Sequence, residues 1–383
     1  MSGENATQTP TSPAPAASQP SASRVSFKRA IVFALLPLGI GWLAMEALAL
    51  AYLLLAPNAR APQPDGNVVP DPYRAYRFAP GMADQNGWGS RNSLAFRGRE
   101  FSASKPPGTL RIACLGGSTT YSPGATTDTH TYPAHLERLL RGHYAGRPFT
   151  IEVINAGHPG YTSLESLILF QSRVLDFSPD VAILQSGLND AWVATLLPDF
   201  ASDYGSARHA LGPIGPYAWE YSPLLTLLFE ARTTLRNPYG PSRLLDLVRL
   251  MQVPPKSIPT DPESMNRRAR ESADAFGRNV RTFLATARGN GVIPVVATES
   301  VGQWGVVQSV VPFCNERLRE IAARESVALV DFAREMPWDS YAFFDPCHLR
   351  DRPEGLERKG RIFADALIRA GVIEQAAARL KQK

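Results

Sequence analysis

Ser118 follows two glycines in the stretch Leu-Arg-Ile-Ala-Cys-Leu-Gly-Gly-Ser-Thr-Thr-Tyr, residues 110–121. A serine hydroxyl is a weak nucleophile until a base removes its proton. Histidine is the side chain suited to that task near neutral pH. Far along the chain the sequence reads Phe344-Asp345-Pro346-Cys347-His348-Leu349. Asp345 and His348 lie three apart on one predicted loop, so the carboxylate can fix the imidazole tautomer and stabilise its charged form. Acyl transfer also needs donors aimed at the oxyanion, each worth about 2.7–4 kcal/mol of transition-state stabilisation. The candidates are the Ser118 N–H, the Gly160 N–H and the Asn189 side chain. Taken alone, Ser118 has plainer readings: a turn serine capping a helix, or a small-residue loop holding a phosphate.

These residues need strands and helices to hold them. Leu110 to Leu115 is a short apolar, partly β-branched run and reads as a buried strand, ended by a tight turn at Gly116 and Gly117. Further strands are predicted at Phe149–Ile154, Val181–Gln185, Val292–Ala297 and Ala328–Asp331. Helices are predicted at Tyr132–Leu140, Ser163–Leu175, Pro262–Gly289, Asn315–Glu325 and Leu356–Leu380. Strands alternating with helices argue for a doubly wound parallel sheet. Ser118, Gly160 and Asn189 each follow a predicted strand, at the edge where open α/β sheets place their ligands. The long stretch Ala191 to Asp261 interrupts this order after the third strand. It carries Trp192, Tyr204, Tyr217, Trp219, Tyr221, Phe229 and Tyr239 with many prolines, and reads either as a lid or substrate wall or as a packing elaboration.

The four segments resemble the four sequence blocks of the SGNH (GDSL-like) hydrolase family. Gly116-Gly117-Ser118-Thr119 resembles the nucleophile block, Gly160 the oxyanion glycine, Gly187-Leu188-Asn189-Asp190 the asparagine block and Asp345 to His348 the Asp-x-x-His block. The resemblance covers about residues 110–367. It implies a three-layer α/β/α fold around a parallel five-stranded, flavodoxin-like sheet, a serine esterase mechanism, and no metal or organic cofactor. Two departures stand out. Gly117 replaces the usual Asp before the nucleophile, and the loop after His348 is longer than usual and holds Arg350, Asp351 and Arg352. Those charges either line the site mouth or are solvated. Asn92 to Arg99 also resembles an approach segment of anchored members, to which no chemistry is assigned.

Other titratable residues take ordinary readings. His158 lies beside Gly160 and next to a proline, and reads either as a substrate contact or, more ordinarily, as a surface loop residue, while His130, His135, His143 and His209 lack triad or metal spacing. Asp128 and Asp190 are the alternatives to Asp345, but Asp190 reads as capping a turn and Asp331 as shaping a loop.

The 383 residues include 40 basic and 35 acidic ones, and no dense Lys/Arg stripe supports nucleic-acid binding. Residues 1–28 read as a disordered cytoplasmic tail, since Met1 to Ser23 is Ser/Pro/Ala/Thr-rich. Residues 29–56 read as a transmembrane anchor: Ala30 to Ala56 is apolar except for Glu46, which is expected to face a partner helix or to lie shallow. A cleaved signal peptide is the alternative, with Ala59-Arg60-Ala61 resembling a cleavage site. Arg24, Lys28 and Arg29 precede the run, which puts the amino terminus in the cytoplasm and the rest on the periplasmic or extracellular side. Residues 57–105 read as linker and approach segment, and 106–383 as the hydrolase-like domain with its insertion at 191–261. Cys114 reads as a buried thiol, and Cys314 with Cys347 as a candidate disulfide in an oxidising compartment.

The expected function is therefore that of a membrane-anchored serine esterase acting on an O-acylated glycan or lipid of the cell envelope. The alternatives are an O-acyltransferase using the same triad, and a catalytically silent envelope scaffold.

Overall fold

The computed structural model describes residues 26–55, 68–69, 71, 73–82, 89–196, 200–204, 222–225, 227–228, 231, 261–305 and 307–380. The tail at Met1 to Ser23, the Ala59-Arg60-Ala61 motif and most of the aromatic insertion lie outside these residues. The chain divides into two units, one of residues 1–57 with 218–227 and one of 58–217 with 228–383.

In the first unit, α1 (Phe27–Leu55) contains Pro37 and an apolar span, Ile31–Tyr52, of 22 residues. At about 1.5 Å per residue it is long enough for a hydrocarbon layer of about 30 Å. A signal sequence passes the same test of length and apolarity. Glu46 does not stand alone: its carboxylate accepts from the Ser222 hydroxyl and from the Leu224 N–H, the latter at 2.9 Å.

The second unit is built on a parallel sheet of β1 (Thr109–Gly116), β2 (Thr150–Gly157), β3 (Val181–Gln185), β4 (Ile293–Ala297) and β5 (Ala328–Val330), in the order β2-β1-β3-β4-β5. This is the flavodoxin-like order, whose topological switch lies between β1 and β3. The register places Gly116 opposite both Gly157 and Gln185, so three strands end level with one another. Side chains alternate between the two faces. Ala113, Leu115, Ala182, Leu184 and Val296 pack under α4 (Ser163–Leu169), α5 (Leu188–Leu196), α6 (Pro262–Gly289) and α7 (Val307–Arg324). Leu110, Ile112, Cys114, Ile183 and Val295 pack against α3 (Tyr132–His143), α8 (Phe332–Glu335), α9 (Arg358–Arg369) and α10 (Val372–Leu380). The result is the expected three-layer α/β/α sandwich. Each fully buried Leu or Ile contributes about 1.5–3 kcal/mol to holding the layers together.

Several boundaries differ from expectation. The predicted helix Ser163–Leu175 is regular only to Leu169 and then widens into a π turn and a 3₁₀ turn. The helix α7 starts at Val307 rather than Asn315 and accommodates Pro312. The closing helix is two helices, because Gly371 at φ +62° turns the chain between them. Part of the segment read as linker is docked, with Tyr76, Phe78 and Phe96 in the core.

The candidate Cys314–Cys347 disulfide is absent. All three cysteines are free and buried. Cys314 on α7 lies 3.9 Å from the Ser272 hydroxyl of α6, whereas Cys347 turns its sulfur to the His348 ring at 3.6 Å. The two thiols are committed to different packing environments.

Candidate active site

The turn after β1 brings the chain back against two neighbours. Gly116 has φ +151°, and a Cβ there would lie 2.1 Å from the Gln185 carbonyl oxygen. A Cβ on Gly117 would lie 2.4 Å from Asn189 Nδ2. Gly116 is thus required by close approach to backbone, whereas the departure at Gly117 leaves room for the amide of Asn189. Ser118 then opens α2 (Ser118–Tyr121) at the carboxyl edge of the sheet.

The loop between α8 and α9 brings a histidine and an aspartate to this serine. The Ser118 hydroxyl lies 2.7 Å from His348 Nε2, and His348 Nδ1 lies 2.5 Å from Asp345 Oδ2. The other carboxylate oxygen, Oδ1, accepts from the N–H groups of Cys347 and His348 at 2.8 and 2.7 Å, so the aspartate shapes the loop that presents its own histidine. Burial alone pushes the Asp345 carboxyl up, but the bond and charge of His348 and those two N–H groups outweigh it. The net result is a carboxyl held below its usual range, which favours a charged partner for the imidazole. The indole N–H of Trp338 holds the Asp345 carbonyl at 2.9 Å, and the Phe344 ring stacks on His348.

Asn189 sits in the first turn of α5, and its Nδ2 donates to the Tyr161 carbonyl at 2.8 Å. That leaves the second amide proton for another acceptor. Gly160 lies in the turn after β2 with φ +77°. Ser118, His348, Asp345 and Asn189 are thus brought together from loops far apart in sequence, and Gly160 lies one residue before Tyr161, which Asn189 contacts.

Neighbouring residues carry other work. Asp190 does more than cap a turn. It is fully buried and accepts from the Ser163 N–H and hydroxyl, the Ser186 hydroxyl and the Tyr204 hydroxyl, tying the second and third loops together. Burial raises its pKa. His158 is not on the surface either. It stacks on Phe78 and Tyr161, and burial pushes its pKa down to about 3. A proline after a loop histidine predicts an exposed turn, but the docked segment at Tyr76 and Phe78 covers His158. Asp128 accepts from Arg97, and Asp331 from Thr298 and Arg319. Asp351 accepts from Thr126 and His130, Arg350 donates to the Phe343 carbonyl, and Arg352 lies over the Tyr341 ring. The charged loop after His348 is therefore anchored in place.

Three residues to which the sequence assigns no chemistry support the turn that carries Ser118. Arg97 is buried and donates to the Tyr121 and Ser122 carbonyls at the end of α2. Lys359, fully buried under the rings of Tyr132, Phe332 and Phe363, donates to the Thr119 carbonyl at 2.7 Å. Glu299 accepts from the Thr119 hydroxyl at 2.9 Å. Burial pushes Glu299 up and Lys359 down. A signal for Lys359 was present: it recurs at helical spacing with Leu356 and Phe363, on an apolar face.

Asp345, Cys347 and His348 offer donor atoms within 4.8 Å of one another, close enough for a metal ion. The imidazole nitrogens, however, are both engaged by Ser118 and Asp345. Such an arrangement can activate a hydroxyl through a charge-stabilised imidazole.

Comparison with known proteins adds the following. The profile of the GDSL-like lipase/acylhydrolase family matches residues 114–352. Among solved structures, a catalytic mutant of the acetylxylan esterase Axe2 from Geobacillus stearothermophilus is similar at 14% identity, covering 68% of this chain and 93% of that one with a TM-score of 0.41. A lipase/acylhydrolase from Enterococcus faecalis is similar at 14% identity, covering 67% and 95%, with a TM-score of 0.38. No curated protein matches the chain.

Proposed function

The chain belongs to the GDSL-like lipase/acylhydrolase family, and from that premise we propose that Ser118, His348 and Asp345 form the catalytic triad of a membrane-anchored serine esterase. The observation that carries this reading is the hydrogen-bonded chain from Ser118 through His348 to Asp345, with its first link spanning 230 residues of sequence. Ser118 Oγ attacks the ester carbonyl carbon while His348 Nε2 takes its proton. The oxyanion is held by the Ser118 N–H, the Gly160 N–H and the Asn189 amide. Collapse of the tetrahedral intermediate breaks the bond to the alkoxy oxygen, which receives the proton from His348. Water, deprotonated by His348, then attacks the acyl-serine, and the leaving Ser118 oxygen regains a proton from the imidazolium.

The length and apolarity of α1 support a membrane location for this reading, and the basic residues ahead of it favour the periplasmic or extracellular side. An O-acylated glycan or lipid of the envelope is the substrate class that this location supports. The test uses the full chain in detergent with p-nitrophenyl acetate, beside folded Ser118→Ala. Hydrolysis by the parent and not by the variant is the expected result. Equal hydrolysis by both would remove Ser118 from the mechanism. Adding an acyl-acceptor glycan separates hydrolysis from transfer, because transfer diverts the acyl group from free acid.

A further inference from the structure

Glu46 lies within the apolar span, six positions before its end at Tyr52. At about 1.5 Å per residue, that places it about 9 Å inside the carboxyl-side edge of the span. A carboxylate at that depth needs donors, because lipid supplies none. It receives them from the Ser222 hydroxyl and the Leu224 N–H, from a segment 176 residues later in the chain. A main-chain N–H reaches the carboxylate only if the backbone at residues 222–224 lies beside α1 at nearly the same depth. The segment is suited to that place. It reads Ser-Pro-Leu-Leu-Thr-Leu over residues 222–227, carries no charge, and leaves Leu224, Leu225 and Leu227 partly exposed.

We propose that residues 222–225 and Leu227 belong to a second membrane-contacting element, inserted beside α1 into the leaflet at its carboxyl end, with lipid acyl chains as its partner. The proposal rests on α1 remaining as a membrane anchor. Glu46 then acts as the docking acceptor that selects where the insertion meets the bilayer. The carboxylate that made the span unusual becomes the reason that the span and the insertion stay together. The contact is local, since hydroxyl and amide donors satisfy the acid without a second charge.

The experiment uses the full chain reconstituted in phosphatidylcholine–phosphatidylglycerol vesicles. An environment-sensitive fluorophore is attached at Leu227→Cys, and separately at Leu38→Cys on α1. The native thiols are buried and leave the new cysteine as the reactive one. Nitroxide-bearing acyl chains serve as quencher. The Leu227 probe is expected to be quenched at least half as strongly as the Leu38 probe. Glu46→Leu is expected to remove most of the quenching at Leu227 and none at Leu38, whereas Glu46→Gln, which keeps an acceptor oxygen, retains both. An aqueous Leu227 probe beside a quenched Leu38 probe would overturn the proposal while leaving the anchor intact. Loss of quenching at both positions would show that α1 does not anchor the chain, and would overturn both.

Discussion

Gly117→Ala is the perturbation that best isolates the proposed oxyanion donor, Asn189. The backbone at Gly117 is extended, with φ −83°, so alanine adopts it without strain. Its new Cβ, however, falls 2.4 Å from Asn189 Nδ2 and 3.3 Å from the Tyr161 carbonyl oxygen. Nonbonded atoms settle at about 3.5 Å, so the amide must retreat by about 1 Å. The amide is the end of a side chain, so folding is expected to change by no more than about 1 kcal/mol. A 1 Å misplacement at a reacting centre costs about 10²-fold, and complete loss of an oxyanion donor about 10²–10³-fold. The expected result is therefore a fall of about 10²–10³-fold in kcat/KM on an activated ester. Asn189→Ala is expected to fall by a similar factor, and the double variant no further than Asn189→Ala alone. That non-additivity is the decisive reading, because the two changes remove one donor. Additive losses in the double variant would refute the reasoning, as would a Gly117→Ala enzyme with normal turnover.

Other outcomes follow from buried groups around the site. Asp190→Ala strands the Ser163, Ser186 and Tyr204 donors, and urea titration is expected to show a loss of about 2–4 kcal/mol. Since the His158 pKa is lowered from 6.5 to about 3 on folding, the unfolded chain binds more protons between those values, and stability falls as pH drops below about 6.5. Between pH 7 and pH 5 this group alone removes about 2 kcal/mol. Folded His158→Gln is expected to show a stability–pH curve flatter by that amount, and an identical slope would contradict the assignment. Lys359→Met is expected to lower kcat by about 10²-fold with KM unchanged, through loss of the hold on Thr119. A change confined to thermal stability would reduce Lys359 to a packing role.

Much of the fold was written in local pattern. The run Leu110–Leu115, the glycine pair after it and the long amphipathic stretch Pro262–Gly289 all form the elements that their composition demands, because burial period and turn chemistry are local properties. The sequence also determined which residue types are available for the proposed chemistry: a serine, a histidine three residues after an aspartate, and an asparagine after the third strand. Family membership follows from those blocks. Only the tertiary structure decided how they meet, because the sheet order β2-β1-β3 sets the loops of Ser118, Gly160 and Asn189 side by side. It also decided what lies behind them. His158 is buried by aromatic residues about 80 positions earlier, Cys314 and Cys347 face different neighbours, and Arg97 and Lys359 reach the nucleophile turn from opposite ends of the chain. Burial and partner choice are set by segments distant in sequence, so no local pattern contains them. The type of each reacting group is a property of one residue, whereas its pKa, its partner and its access to substrate are properties of the packed whole.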